Sequence, residues 1–341
     1  MRKAIVFPLF VLLAVVLGRT PAQPAAAPVK KPVVITAVTS WFKDYPSNDA
    51  VWELQRQLER KSGGSLKIDW KGGPEIVSPF EAVDALSRGV FDMLNTSGAY
   101  YTQLVPEVVF LDYFDGPIKA LRQAGVIDLF DKINQEKAGV KLLGVVRGAS
   151  GYAFYTRKPV TKLEDFKGLK IRATPTYVPL IKALGASPVT MRPGDIYTAM
   201  ERGVVDGFAF PEVGTMDLKL HEVYCCMIRP PFWTGRTVLL MNLQAFQKLS
   251  PEHQKLLTDT MRNIDEQWVE PHFKKLLEKE LQELVTKHGR KIIDLPEADA
   301  RRYREIAYTE NWKTFVPTSP KYGEQIRKLA EPFSKPWPPL Y

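Results

Sequence analysis

Glu81-Ala82-Val83-Asp84-Ala85-Leu86-Ser87-Arg88-Gly89-Val90-Phe91-Asp92-Met93-Leu94 and Asp195-Ile196-Tyr197-Thr198-Ala199-Met200-Glu201-Arg202-Gly203-Val204-Val205-Asp206-Gly207-Phe208-Ala209-Phe210 follow one plan. A short amphipathic helix ends at Arg-Gly-Val, a hydrophobic residue and an Asp follow, and an apolar strand begins. Glycine is the residue that closes a helix most readily, and the apolar run after it is strand-like in length. Four identical residues and one shared apolar position form a short repeat, but both copies sit between a helix and a strand. The repeat therefore reads as two α/β lobes built on related plans.

The chain around these copies supports that reading. Val33–Val38 is a buried-strand pattern, and residues 49–61 put Val51, Leu54 and Leu58 on one helical face before Ser62-Gly63-Gly64 stops the helix. Residues 66–70 alternate as a second strand. Strands and helices alternating at this spacing predict mainly parallel pairing. In the second block, residues 169–172 form a strand and residues 177–184 a helix closed by Gly185. Ser250-Pro251-Glu252 opens a helix, with Ser as cap and Pro in the first turn, and the apolar stripe continues to His288. At 1.5 Å per residue this helix is about 55 Å long, enough to span both lobes, and Pro271 is expected to kink it. The Pro-rich, aromatic tail from Pro317 is expected to drape over the surface.

The 341 residues are 45% hydrophobic and 25% charged, an ordinary globular composition that excludes a disordered or fibrous chain. Lys plus Arg number 47 and Asp plus Glu 38, a balance of +9. Arg2, Lys3 and Arg19 in the first 27 residues, which hold no acid, leave +6 for the rest. No basic run or basic-aromatic stripe appears, so the balance suits an anionic small ligand rather than nucleic acid.

Met1-Arg2-Lys3, the apolar run from Ala4 to Gly18 and the small-residue stretch to Ala27 have the order of a cleaved secretory signal peptide over residues 1–27. The apolar run is short for a membrane span, and the chain is expected to be exported to the periplasm as a monomer. Cys225 and Cys226 are adjacent; neighbours bridge only through an eight-membered ring, so they read as two free, partly buried thiols.

Enzyme signatures are missing from the sequence. Gly148-Ala149-Ser150-Gly151-Tyr152 lacks the final glycine of a nucleophile elbow, and no phosphate-binding glycine loop or zinc spacing occurs. Arg172 stands out because it ends a strand, and the carboxyl ends of strands in α/β lobes form ligand crevices. A guanidinium there grips a carboxylate through two parallel hydrogen bonds, although an arginine after a strand is more commonly one half of a surface ion pair.

The segment from Lys158 to Pro211 resembles a known family. Lys158-Pro159-Val160, Leu163-Glu164-Asp165-Phe166-Lys167-Gly168-Leu169-Lys170-Ile171-Arg172, Leu184-Gly185-Ala186-Ser187-Pro188 and Gly203-Val204-Val205-Asp206-Gly207 are similar to the DctP-type solute-binding receptors of tripartite ATP-independent periplasmic (TRAP) transporters. Ser62-Gly63-Gly64, Gly89-Val90-Phe91-Asp92-Met93 with Tyr100-Tyr101, and Leu249-Ser250-Pro251-Glu252 extend the resemblance over most of residues 33–290. It implies a two-lobed, type II-like periplasmic binding protein whose long helix, residues 250–288, spans both lobes. Lobe I is then residues 33–152 plus 237–270, and lobe II residues 153–236 plus 285–330. It also implies that Arg172 anchors the ligand carboxylate and that a TRAP permease receives the ligand. No catalytic residue, metal or cofactor follows from it.

Departures from the family pattern shape the expected pocket. Where many relatives carry Gln-Glu-Asn-Pro, this chain has Phe208-Ala209-Phe210-Pro211, which removes an acid that helps some relatives hold a cation. Phe208 and Phe210 are expected to form an apolar wall, with Trp41, Tyr100, Tyr101, Tyr152 and Trp233 completing the enclosure. Aromatics at all these positions also read as core packing. Arg147 reads equally as a second carboxylate donor and as a strand-end ion pair, and Glu75 as a ligand hydrogen-bond acceptor or a surface carboxylate. The ligand class that follows is an organic carboxylate with an apolar or aromatic body. The other readings are a carboxylate receptor for an ABC importer or a sensor, and a secreted two-lobed enzyme.

Overall fold

The computed structural model describes residues 31–146 and 150–333. The expected signal peptide and Arg147 lie outside the described residues. Among the described residues eleven strands form two sheets: β1 (Val33–Thr39), β2 (Leu66–Gly72), β3 (Met93–Thr96), β4 (Val140–Val145), β5 (Gly151–Thr156), β6 (Lys170–Ala173), β7 (Ser187–Thr190), β8 (Gly207–Pro211), β9 (Cys226–Thr234), β10 (Val238–Asn242) and β11 (Lys291–Asp294). The first sheet has the order β2-β1-β3-β10-β4 and the second β11-β9-β5-β8-β6-β7. The chain leaves the first sheet between Val145 and Gly151 and returns to it between Thr234 and Val238.

Pairing is mixed rather than mainly parallel. β1 runs parallel to β2 and β3, and β6 parallel to β7 and β8. β10 is antiparallel to β3 and β4, and β5 antiparallel to β8 and β9. All the antiparallel pairs involve β5 or β10, the strands through which the chain enters one sheet from the other.

The repeated Arg-Gly-Val-hydrophobic-Asp phrase has one structure in both places. Arg88 and Arg202 cap their helices, and Gly89 and Gly203 turn the chain at φ values of +76° and +69°. Such angles suit glycine, which has no Cβ to clash. Phe91 and Val205 enter the core. The Asp92 carboxylate accepts the Thr36 N–H at 2.8 Å while its own N–H donates to the Thr36 carbonyl at 3.0 Å. Asp206 and Lys170 repeat the exchange at 2.8 and 2.7 Å. The aspartate thus ties the start of one strand to the middle or start of its neighbour and sets their register.

The long helix runs Pro251–Asn263 and Val269–Thr286, joined by a π-helical turn at Ile264–Trp268. Ser250 Oγ accepts the His253 N–H at 3.2 Å, as the cap pattern predicts. Leu257, Met261, Ile264 and Phe273 pack with Ile35, Leu54 and Leu58 against the first sheet; Leu284 packs with Leu220 and Tyr224 beside the second. The irregularity therefore lies just before Pro271 rather than at it. Pro271 has no N–H for the Gln267 carbonyl, and the wide turn falls at that gap. Arg122 holds the turn to the first lobe, its Nη2 donating to Asp265 at 2.6 Å and its Nε to Glu266 at 2.9 Å.

Two further expectations are corrected. Cys225 and Cys226 are joined by a disulfide at the start of β9, not free; adjacency makes the ring small but does not prevent it. The tail from Pro317 is also more ordered than a surface drape as far as Phe333, with a helix at Gly323–Ala330. Ser319 bonds the buried Glu107, and Lys321 and Tyr322 bond Glu136 at 2.7 and 2.5 Å. This clips the segment after the helix Glu297–Phe315 onto the helix Val126–Ala138.

Candidate functional site

Arg172 stands at the carboxyl end of β6, and its side chain is 1% exposed. Neighbouring backbone holds it: Nε and Nη2 donate to the Met191 carbonyl at 3.1 and 2.8 Å, and Nη1 donates to the Ala209 carbonyl at 3.2 Å. A guanidinium carries five N–H donors. Each terminal nitrogen therefore keeps one N–H, and no carboxylate pairs with the group among the described residues. Burial pushes its pKa below the ordinary arginine value, and the phenols of Tyr100, Tyr177, Tyr45 and Tyr152 act in the opposite direction. Burial raises Tyr177 well above the ordinary phenol value, so that ring is neutral and supplies a dipole, not a charge.

The guanidinium faces a cavity of about 20 Å³, enough for one water. Its walls come from both sheets. Trp41 and Tyr45 follow β1, with rings stacked 5.9 Å apart, and Tyr100 leans on Trp41 at 6.1 Å. Tyr152 from β5 meets Tyr177 at 5.2 Å, and Phe210 from β8 closes another side. Ser47, Ser97, Thr174 and Thr237 add hydroxyls, of which the buried Thr237 Oγ1 has no hydrogen-bond partner among the described residues.

Of the residues singled out from sequence, Arg172, Trp41, Tyr100, Tyr152 and Phe210 come together around this cavity. Phe208 shares a strand face with Phe210 but lies nearer the start of β8, where it stacks on Tyr155 at 4.9 Å behind Phe210. Tyr101 points away from its neighbour into the first-lobe core, its hydroxyl donating to Asn134 at 3.2 Å. Trp233 is fully buried against Tyr113 and Tyr177, one layer behind the cavity. Glu75 is exposed and accepts the Gly73 N–H at 2.7 Å. That turn lies against the backbone of Trp41, because a Cβ at Gly73 would run into the Trp41 carbonyl.

Sequence reading missed Tyr177, Ser47, Ser97, Thr174 and Thr237. Thr174 and Tyr177 had a usable signal, since both follow the strand that ends at Arg172. Among the described residues no group of three or more His, Cys, Asp or Glu side chains is placed to hold a metal ion. None of the described helices is long and apolar enough to cross a membrane.

The sequence matches the DctP family, the bacterial extracellular solute-binding proteins of family 7, over residues 37–316. The chain belongs to this family. Among DctP-type relatives, the C4-dicarboxylate-binding periplasmic protein of Rhodobacter capsulatus is 27% identical over 233 residues, covering 60% of this chain and 67% of that one. A TRAP periplasmic solute-binding protein from Desulfovibrio salexigens, solved with bound orotic acid, superposes with a TM-score of 0.80 at 20% identity. The match covers 88% of this chain and 98% of that one. The Bordetella pertussis receptor DctP7, which binds pyroglutamic acid, gives a TM-score of 0.78 at 17% identity, covering 88% and 99%. The two-lobed fold expected from the repeat is thus that of TRAP solute-binding proteins, and the family is extracytoplasmic.

Proposed function

We propose that this DctP-family protein is the periplasmic receptor of a TRAP transporter, released by cleavage of its signal peptide. In this reading it carries an organic monocarboxylate with an apolar or aromatic body to the permease for ion-gradient-driven uptake. One observation carries the proposal: Arg172 is a fully buried cation with two uncommitted N–H groups and no carboxylate partner among the described residues. An isolated charge in a low-dielectric site is costly, and an incoming carboxylate removes that cost while accepting both donors. The solved relatives named above hold orotic and pyroglutamic acids, which are themselves carboxylates. Phe210 and the surrounding tyrosine and tryptophan rings suit a flat apolar body better than a second charge.

Thermal unfolding of the mature protein against a panel of acids tests this. A ligand at 100 times its Kd adds about 2.7 kcal/mol. Aromatic or bulky apolar monocarboxylates are expected to raise the Tm. A shift from small dicarboxylates alone would replace the proposed ligand class, and no shift from any acid with ligand-free protein would reject the carboxylate reading.

A further inference from the structure

A second pocket of about 200 Å³ opens on the outer side of Trp41, which lines both it and the Arg172 cavity. Phe42, Pro74 and Pro79 form its wall on one lobe, and Pro193 and Leu218 on the other. Phe42 is 55% exposed at its rim. Its two charged groups cancel, Arg192 Nε donating to Asp195 at 3.1 Å. The inner space is therefore small and cationic, and the outer space is roomy, apolar and without net charge. Trp41 is the one residue common to both linings. The turn at Gly73, held by Glu75, lies against its backbone carbonyl.

Resting on the carboxylate reading of Arg172, we propose that the outer pocket is a second ligand compartment for the apolar distal end of an extended monocarboxylate. Trp41 is its movable partition and the residue that sets ligand length. An acid gripped by Arg172 meets the indole after a short body, because about 20 Å³ remains beneath it. A longer body continues only by turning Trp41 aside, into a space whose prolines keep its walls rigid. A second carboxylate finds no unpaired cation there, which excludes long dicarboxylates as its occupants.

The test is calorimetric Kd measurement on the full chain with acetate, 3-phenylpropionate, 5-phenylvalerate and adipate. A buried methylene is worth about fourfold in affinity. Trp41→Ala is expected to raise the preference for 5-phenylvalerate over acetate at least tenfold and to leave adipate no better bound. Because Trp41 is buried, Phe42→Ser at the exposed rim provides an independent variant. It is expected to weaken 5-phenylvalerate about fivefold and acetate less than twofold. If acetate binds but neither variant moves the ratio, or adipate gains as much as 5-phenylvalerate, the compartment is overturned and the Arg172 reading stands. If no acid binds the wild-type protein, or Arg172→Ala leaves binding unchanged, both fall together.

Discussion

Arg172 reaches across from β6 to the carbonyl of Ala209 in β8, 3.2 Å away. The backbone orients the cation without cancelling its charge. A carboxylate supplied by a ligand then has no internal competitor. Arg172→Ala is expected to weaken carboxylate binding by at least 2 kcal/mol, about 30-fold. Arg172→Lys is expected to restore little, since an ammonium cannot hold both carbonyls and a two-oxygen ligand. Calorimetry with phenylacetate reads both, and unchanged affinity in a folded variant removes Arg172 from the site.

Phe210 closes the cavity beside that cation. Phe210→Ala removes apolar surface from the ligand's contact, at roughly 25 cal/mol per Å². The expected result is a loss of 1–2 kcal/mol, about 5- to 30-fold, for phenylacetate, and a smaller loss for acetate, which presents a single methyl group to the ring. Equal losses for both acids would show that Phe210 acts through packing alone.

Asp112 gives the protein a pH dependence opposite in sign to that of a surface acid. Burial pushes its pKa up to about 8, against the pull of the Arg236 backbone N–H, which it accepts at 3.1 Å, and the Arg236 guanidinium. The buried phenols of Tyr101, Tyr113 and Tyr177 also face its field. The folded state binds this proton more tightly than the unfolded state, so its stabilising contribution is complete below pH 4 and is lost as pH rises to about 8. The slope cannot exceed about 1.4 kcal/mol per pH unit. Unfolding in urea is expected to show Asp112→Asn losing less stability than wild type between pH 5 and pH 8; parallel curves would exclude Asp112 as the source.

The Arg122–Asp265 pair anchors the π-helical turn, with the Asp265 side chain fully buried and Arg122 15% exposed. Arg122→Met leaves a buried carboxylate unpaired and is expected to cost about 3 kcal/mol. Adding Asp265→Leu removes the stranded charge and is expected to recover most of that loss. Denaturant midpoints of the single and double variants measure the coupling, and a double variant no more stable than the single one would rule it out.

Features written in contiguous residues were legible in sequence. The Ser250-Pro251 helix start and the glycine turns at Gly89 and Gly203 depend on neighbours and on backbone geometry that residue type announces, whereas the Asp92 and Asp206 ties reach strands far along the chain and were not legible. The strand end alone pointed to a surface ion pair, but Arg172 was legible because its place there coincides with a stretch that resembles the DctP-type receptors. The remaining walls were not, because they meet only after folding. Thr237 reaches the cavity on the return connection, far along the chain from Trp41. Phe208 and Phe210 share a strand face, and only the depth of β8 in its sheet decides which of them borders the cavity. Tyr101 and Trp233 satisfied the aromatic pattern and went to the core, since ring chemistry suits both fates. The Cys225–Cys226 bridge is a choice between two permitted states that adjacency alone does not make.

The placement of β10 between β3 and β4 has a consequence for how this molecule is made. A ribosome delivers β3 and β4 early, but the strand that joins them comes only after the whole of the second sheet's β5 to β9. Until then the first sheet is two fragments with bare edges, and such edges are sticky. The half that begins first thus waits for a strand made after five of the second sheet's six, so it is not a contiguous folding unit. A chaperone that guards the nascent chain until residue 242 has emerged would protect the most aggregation-prone stage in its life.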